Sequence, residues 1–233
     1  MMFIDRVSLP ILPDRKRFMV QFEKFYDSYT LSNEGEWAQT FSNRLAALAN
    51  TKYCILFNSA SSALDSIVRY YKSQSFDVCP FTWATSLSPL ARHKVDTRYF
   101  DLRAERPIPD YLQILSAEKD TTGVIMSTHT FGCIPDVEVI NSLDDLAKPV
   151  IFDAAHAFGI EVNGRSILSY GTASVISLHA TKGLTSGEGG AVLTSDHALA
   201  EFLEFISRPK LIDGRFHPEV NNFRMSELNA LSE

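Results

Sequence analysis

Seven short apolar segments, separated by stretches with helical periodicity, constrain the fold of this chain more than any other feature of its sequence. The predicted strands cover residues 53–57, 78–81, 98–102, 124–128, 150–153, 173–178 and 190–194. Strands that are apolar along their whole length and alternate with helices are typical of a parallel sheet covered by helices on both faces. The last two strands are joined more tightly than a parallel crossover permits, so one of them is expected to be antiparallel.

Helices are predicted at residues 18–29, 37–49, 61–72, 85–92 and 137–146. Apolar side chains recur at helical spacing in the first three of these segments. They are Phe18, Phe22, Phe25 and Tyr29, then Phe41, Leu45 and Leu48, then Ala63, Leu64, Ile67, Val68 and Tyr71. The sequence therefore predicts one α/β domain over residues 1–233, with a short helical N-terminal lead before a seven-stranded, mostly parallel sheet between helices.

Composition argues against several classes of function. A formal net charge of -6 and the absence of any Lys/Arg run argue against nucleic-acid binding. The three cysteines, Cys54, Cys79 and Cys133, form no Cys-x-x-Cys pair, which fits reduced, buried thiols in a cytoplasmic protein. The six histidines match no ligand spacing, so no metal is expected. No apolar run approaches the length of a membrane-spanning helix, so no membrane partner is expected either.

The loop after the first predicted strand has the composition of an anion site. Ligands of such sheets collect at the carboxyl ends of the parallel strands. Residues 58–64, Asn-Ser-Ala-Ser-Ser-Ala-Leu, place small side chains between that strand and the start of a helix. Free N–H groups and hydroxyl donors at a helix N-terminus bind anions. The alternative is simple N-capping of the helix by Ser59 or Ser61.

Two other strand ends carry residues that suit a planar ring. Trp83 follows the second predicted strand and either stacks on a ligand or fills the core. Asp153 ends a buried apolar run, where a carboxylate needs a cation or several donors, unless it caps a short helix. His156 lies three residues further and faces the same way if the segment turns helically.

Lys182 lies in the fourth unusual loop, Ser-Leu-His-Ala-Thr-Lys-Gly-Leu-Thr-Ser-Gly-Glu-Gly-Gly, residues 177–190. Burial beside a strand end lowers the pKa of a lysine and makes its amine a nucleophile. Glycines permit the positive φ and close backbone approach that a bound phosphate needs. Taken alone, the loop is more typical of a hairpin with a solvated lysine at its tip. Together, an anion site, an aromatic plate, a buried carboxylate and this lysine predict pyridoxal phosphate as cofactor.

Six sequence blocks, in this order, resemble the DegT/StrS-type nucleotide-sugar aminotransferases, which have the aspartate-aminotransferase fold (fold type I). The blocks are 31–35 (Leu-Ser-Asn-Glu-Gly), 58–64, 80–85 (Pro-Phe-Thr-Trp-Ala-Thr), 153–157 (Asp-Ala-Ala-His-Ala), 177–190 and 222–228 (Asn-Phe-Arg-Met-Ser-Glu-Leu). The resemblance implies the large domain of that architecture. It also implies transfer of an amino group from an amino acid such as glutamate to a nucleotide-linked keto sugar, for polysaccharide or glycoconjugate synthesis.

The resemblance also implies a role for individual residues. Lys182 matches the lysine that forms a Schiff base with pyridoxal phosphate and then moves a proton. Asp153 matches the partner of the pyridine nitrogen, His156 the neighbour of the ring hydroxyl, and Trp83 the stacking aromatic. Ala60, Ser61 and Ser177 match phosphate contacts. Asn222 and Arg224 match a segment that reaches the site of a neighbouring subunit, which implies a homodimer.

The sequence departs from the family pattern at two places. Ala60 and Ser61 stand where Gly and Thr are usual, and the chain ends at Glu233, before the small C-terminal domain of family members. An alternative function is therefore a non-catalytic remnant that binds cofactor or a partner. The dehydratase branch of the family is a third possibility, but it replaces the lysine with histidine, and Lys182 argues against it.

Overall fold

The computed structural model describes residues 10–32, 35–116, 123–209, 211–212 and 214–231. Its seven-stranded sheet contains β1 (Tyr53–Phe57), β2 (Ser75–Val78), β3 (Thr97–Tyr99), β4 (Gly123–Thr128), β5 (Val150–Asp153), β8 (Ala173–Ser177) and β9 (Gly190–Thr194). Two small hairpins comprise β6 (Glu161–Val162) with β7 (Arg165–Ser166), and β10 (Leu211–Ile212) with β11 (Arg215–Phe216).

The strand order across the sheet is β1-β9-β8-β5-β4-β2-β3. The pairs from β8 through β5, β4 and β2 to β3 are parallel, whereas β9 is antiparallel to both β8 and β1. The expected antiparallel strand is therefore confirmed, and it is β9. The parallel strands direct their carboxyl ends to one edge, where the polar loops follow.

The helices are α1 (Arg15–Ser28), α2 (Glu36–Ala49), α3 (Ala60–Tyr70), α4 (Ala84–Arg92), α5 (Tyr111–Ser116), α6 (Val137–Asp144), α7 (His197–Ser207) and α8 (Glu227–Ala230). Alternate side chains of β1, β4, β5, β8 and β9 enter two separate apolar clusters. One cluster joins the sheet to α2, α5 and α6, and the other joins it to α3, α4 and α7. The predicted seven-stranded, mostly parallel sheet between helices is confirmed.

Two predicted strands are wrong in their bounds. The strand expected at 78–81 lies at 75–78, because Pro80 has no N–H for a ladder and the chain turns there. Thr82 N–H donates to the Pro80 carbonyl at 2.9 Å in that turn. The strand expected at 98–102 ends at Tyr99, since Leu102 has left the sheet to form an antiparallel bridge with Pro109.

Helical periodicity placed two residues wrongly. Leu48, expected on the buried face of α2, is 65% exposed, whereas Ala38, Phe41, Leu45 and Ala49 are buried. Tyr29 lies beyond the end of α1 with φ 56° and is exposed, because its left-handed conformation caps the helix. Helices α5 and α7 were not predicted. The apolar side chains of α3 are buried as expected.

Candidate active site

Asp153 is the last residue of β5 and is buried at the carboxyl edge of the sheet, with 4% of its surface exposed. Its Oδ2 accepts a hydrogen bond from Ser86 Oγ at 2.6 Å, and its Oδ1 accepts one from Ala155 N at 3.2 Å. Burial raises the pKa of the Asp153 carboxyl, while these two bonds oppose the rise. No helix follows at 154–159, so the N-cap alternative is wrong. The two hydrogen bonds fix the orientation of the Asp153 carboxyl at the edge of the sheet, a position that suits a ligand group with a positive charge or an N–H.

Lys182 meets His156 across this edge, with 2.7 Å between Nζ and Nε2. Lys182 is half-buried in the loop that joins β8 to β9, and its backbone N–H donates to the His179 carbonyl at 2.9 Å. The segment around His156 is not helical, yet its turn brings the imidazole to the lysine. The tip of the hairpin therefore carries a lysine that contacts another functional group, rather than one directed only to solvent.

The surroundings of this pair shift the pKa of Lys182 downward, toward the neutral amine. Burial lowers the pKa of Lys182, and the carboxylate of Asp153 opposes the shift. The pKa of His156 is also lowered, first by burial and then by the charge of Lys182. A hydrogen bond between these two nitrogens requires that at least one of them lacks its additional proton. The neutral amine is the form of lysine that attacks a carbonyl carbon, and a lowered pKa increases the share of this form.

The predicted anion loop lies where β1, β8 and β9 meet the start of α3. Gly190 pairs with Ser177 in β8 and with Phe57 in β1. A Cβ on Gly190 would lie 2.3 Å from the backbone nitrogen of Ala60, so only glycine permits this approach. The same glycine thus brings Ser177 next to the first turn of α3. The predicted phosphate contacts Ala60, Ser61 and Ser177 are brought together.

Capping of α3 leaves donors for a ligand. Ser59 is the N-cap, and its Oγ accepts from Ser62 N at 3.2 Å, so the capping alternative is confirmed for Ser59. Within the described part of the chain, the N–H groups of Ala60 and Ser61 donate to no other protein group. The loop therefore combines a side-chain cap with two free amides at a helix N-terminus, which suits a phosphate.

Trp83 is not a core residue. Its side chain is 76% exposed, and it precedes the first residue of α4. Its carbonyl accepts from Ser86 N at 2.9 Å, and Ser86 in turn contacts Asp153. Trp83 therefore belongs to the same first turn of α4 as Ser86, which donates to the buried Asp153 carboxylate. Stacking on a ligand stays a prediction.

The segment with Asn222 and Arg224 lies against the anion loop of its own chain. Asn58 N donates to the Phe223 carbonyl at 2.6 Å, and Asn58 Nδ2 donates to the Asn222 carbonyl at 3.4 Å. The Asn222 side chain is exposed, and that of Arg224 is half-buried. The predicted reach of this segment into a neighbouring subunit stays a prediction.

Glu227, in the last sequence block, has a structural role that sequence reasoning missed. Its buried carboxylate accepts from Gly35 N at 2.6 Å and from Ala38 N at 3.1 Å, at the start of α2. Glu227 N also donates to the Leu31 carbonyl at 3.1 Å. The first and last blocks thus pack on each other, although residues 33 and 34 of the first block lie outside the described residues.

Other features of the described chain add no cofactor site. No cluster of three or more His, Cys, Asp or Glu side chains suited to a metal occurs among the residues that the structure describes. Over the same residues, every helix is too short or too polar to cross a bilayer. None of the three cysteines, all of which lie in described residues, forms a disulfide; Cys79 is buried as expected, whereas Cys54 and Cys133 are only half-buried, contrary to expectation.

Several known sequences that resemble this chain are named as transaminases of nucleotide-linked sugars. It is 28% identical over 233 residues to dTDP-4-amino-4,6-dideoxy-D-glucose transaminase of Shigella dysenteriae, covering 96% of this chain and 62% of that protein. It is also 28% identical over 208 residues to UDP-4-amino-4,6-dideoxy-N-acetyl-beta-L-altrosamine transaminase of Helicobacter pylori, covering 84% and 55% of the two chains. The chain thus spans less than two thirds of each relative.

Solved structures and a family profile agree with these relatives. The crystal structure of DesI in the presence of its TDP-sugar product superimposes with a TM-score of 0.82 at 27% identity, covering 97% of this chain and 58% of that one. The PLP-form of the sugar aminotransferase Spr1654 from Streptococcus pneumoniae, 19% identical, shares the fold with a TM-score of 0.81. The profile of the DegT/DnrJ/EryC1/StrS aminotransferase family matches residues 13–232. Pyridoxal phosphate is the cofactor of that family. This chain therefore belongs to the DegT/DnrJ/EryC1/StrS aminotransferase family.

Proposed function

We propose that residues 1–233 form one cofactor-binding domain of a pyridoxal-phosphate-dependent aminotransferase. Its donor is an amino acid, glutamate, and its acceptor is a nucleotide-linked keto sugar used in polysaccharide or glycoconjugate synthesis. The observation that carries the proposal is the 2.7 Å contact between Lys182 Nζ and His156 Nε2 beside the buried Asp153. The nucleotide-sugar substrates named for the relatives support the sugar acceptor.

The residues at the sheet edge fit each part of the cofactor. The free amides of Ala60 and Ser61, with Ser177, would hold its phosphate, and Asp153 would hold the pyridine nitrogen. When bound, pyridoxal phosphate supplies an electron sink for the α-carbon of the donor. Trp83 would cover one face of the ring.

Lys182 and His156 supply the remaining chemistry. The amine of Lys182, with its lowered pKa, is able to attack a carbonyl carbon and afterwards to accept a proton from a carbon acid. His156 holds Nζ within hydrogen-bond distance, so the proton is moved at a fixed position. The proposal includes a homodimer in the cytoplasm, in which Asn222 and Arg224 would contact the site of the neighbouring subunit.

Visible absorption spectra test the first half of the reaction. Pyridoxal phosphate is added to the chain, and spectra are recorded before and after glutamate, beside Lys182→Ala. Lys52→Ala is the matched control, because Lys52 is exposed before β1. We expect a band that is absent in Lys182→Ala, intact in Lys52→Ala and bleached by glutamate.

The other outcomes separate the alternatives. A Lys182-dependent band that glutamate and other amino acids leave unchanged would support the non-catalytic remnant. The absence of any such band would refute cofactor attachment at Lys182. The acceptor is tested by mass spectrometry after incubation with a panel of dTDP- and UDP-linked 4-keto sugars. An aminated sugar supports the proposal. If glutamate bleaches the band but no sugar of the panel is aminated, the assignment of a sugar acceptor is contradicted.

A further inference from the structure

Phe131 is an exposed aromatic residue in a strained backbone conformation. Its φ and ψ are 57° and 21°, in the left-handed region, and its side chain is 72% exposed. A bulky residue at positive φ costs free energy and persists only where its surroundings hold it. Because most of the ring remains in water, core packing does not explain why the strain is retained.

The turn that carries Phe131 is fixed from both sides. Gly132 follows at φ 76°, and a Cβ there would lie 3.0 Å from the His156 carbonyl oxygen. Gly132 N donates to the His129 carbonyl at 3.0 Å. On the other side, Thr130 Oγ1 donates to the Phe81 carbonyl at 3.2 Å. The two hydrogen bonds fix the turn to the end of β4 and to the loop after β2, and Gly132 leaves no room for a side chain beside the His156 carbonyl.

The fixed turn places the Phe131 ring between two other rings. The ring stacks on the His156 imidazole, with centroids 6.2 Å apart and planes 25° apart. It meets Phe81 edge-on at 6.3 Å and 77°. Both distances are within the range of favourable aromatic pairs. His156 is therefore held by Phe131 at its face and by Lys182 at Nε2.

We propose that Phe131 is a positioning residue, whose ring fixes the orientation in which His156 Nε2 meets Lys182 Nζ. The role of that contact in catalysis rests on the proposed function, but the orientation itself does not. An exposed imidazole without such support rotates about two side-chain bonds and exchanges its contact for water. The ring also covers one face of the imidazole and so favours its neutral form, which is able to accept a hydrogen bond from the lysine.

The proposal is tested by NMR titration of the His156 ring in the chain without cofactor, with the signal assigned by its loss in His156→Asn. Phe131→Asn and Phe131→Gly remove the ring and accept positive φ without strain. Phe131→Tyr keeps the ring. Phe81→Leu is the matched control, because the Phe81 ring contacts Phe131 and, among the described residues, forms no ring pair with His156.

We expect both ringless variants to raise the His156 midpoint by about half a pH unit or more, toward the ordinary histidine value. Phe131→Tyr should retain the low midpoint, and Phe81→Leu should move it less than the ringless variants do. An unchanged midpoint in both ringless variants, or an equal shift in Phe81→Leu, would overturn the proposal. Loss of the folded NMR spectrum in both ringless variants would also overturn it, since the ring would then support the fold rather than the orientation of His156. Because no cofactor is present, failure of the proposed function would show only in the absorption spectra.

Discussion

His129 is fully buried directly after β4, and within the described part of the chain neither of its ring nitrogens has a hydrogen-bond partner. Its imidazole stacks on Phe152, with centroids 4.8 Å apart and planes 17° apart. Burial lowers its pKa to about 4, from an ordinary value of 6.5. The folded chain therefore holds this histidine neutral where the unfolded chain protonates it, and folding stability must depend on pH through this one group.

The sign and size of the effect follow from these two values. Because the pKa of His129 is lower in the folded chain than in the unfolded chain, its contribution to the free energy of unfolding is complete above pH 6.5 and is lost as the pH falls toward 4. Between about pH 7.5 and about pH 4.5, the linkage relation gives a loss of about 2.5 kcal/mol from His129 alone. That is a large part of the total stability of an ordinary domain, which is about 5–15 kcal/mol.

His129→Phe keeps an aromatic ring on Phe152 and removes both nitrogens. Overpacking by the larger ring costs about 1–3 kcal/mol, but this cost is the same at every pH. The measurement is urea unfolding at several pH values between these limits, at two protein concentrations, followed by circular dichroism. We expect the variant to become more stable relative to the unsubstituted chain by about 2.5 kcal/mol as the pH falls across this interval.

Ile140→Val is the matched control, because Ile140 carries no titratable group and is buried in the apolar cluster that contains Phe152, the stacking partner of His129. It should lower stability by about 0.5–1.5 kcal/mol equally at both ends of the interval. If His129→Phe shows the same parallel offset, the histidine is not held neutral in the fold, and the argument from its burial is wrong.

Two further predictions concern the site. Asp153→Asn should raise the melting temperature of the cofactor-free chain at about pH 7.5. Burial raises the pKa of Asp153 in the folded state, so the stability that its protonated form contributes is lost as the pH rises through this raised pKa, and asparagine avoids that loss. A lower melting temperature of the variant would contradict this reasoning. Gly190→Ala should lower stability by at least about 2 kcal/mol, since its Cβ would lie 2.3 Å from Ala60 N. In Gly183→Ala the Cβ meets nothing within 4 Å, so equal urea midpoints for the two variants would refute the close-approach argument.

Much of the candidate site could be predicted because its residues follow strands. Asp153 ends a strand whose bounds were predicted correctly, and the carboxyl ends of parallel strands share one edge. Lys182 lies in a loop of unusual composition, and Ala60 begins a helix directly after another such loop, each next to another strand of the sheet. The chemistry of these residues was therefore visible in the sequence without knowledge of any contact.

Other parts of the site carry no local signal. Ser86 is one of several small polar residues in α4, and only the packing of that helix shows that it donates to Asp153. Glu227 reads as an ordinary charge at a helix start, yet it is buried and caps α2 from far along the chain. Phe131 resembles a core residue by type, but it is exposed. In each case the partner is distant in sequence, so periodicity and composition are silent about it.

The sequence by itself determined the kinds of elements, most of their order and the loops with reactive side chains, because periodicity and turn chemistry are local properties of a chain. Only the tertiary structure decided that Lys182 meets His156, that Gly190 touches Ala60 and that Phe131 lies on the imidazole. These contacts depend on a strand order that differs from chain order and on β9 running against its neighbours. That order is set by the joint burial of two apolar faces, and no single segment of the chain encodes it.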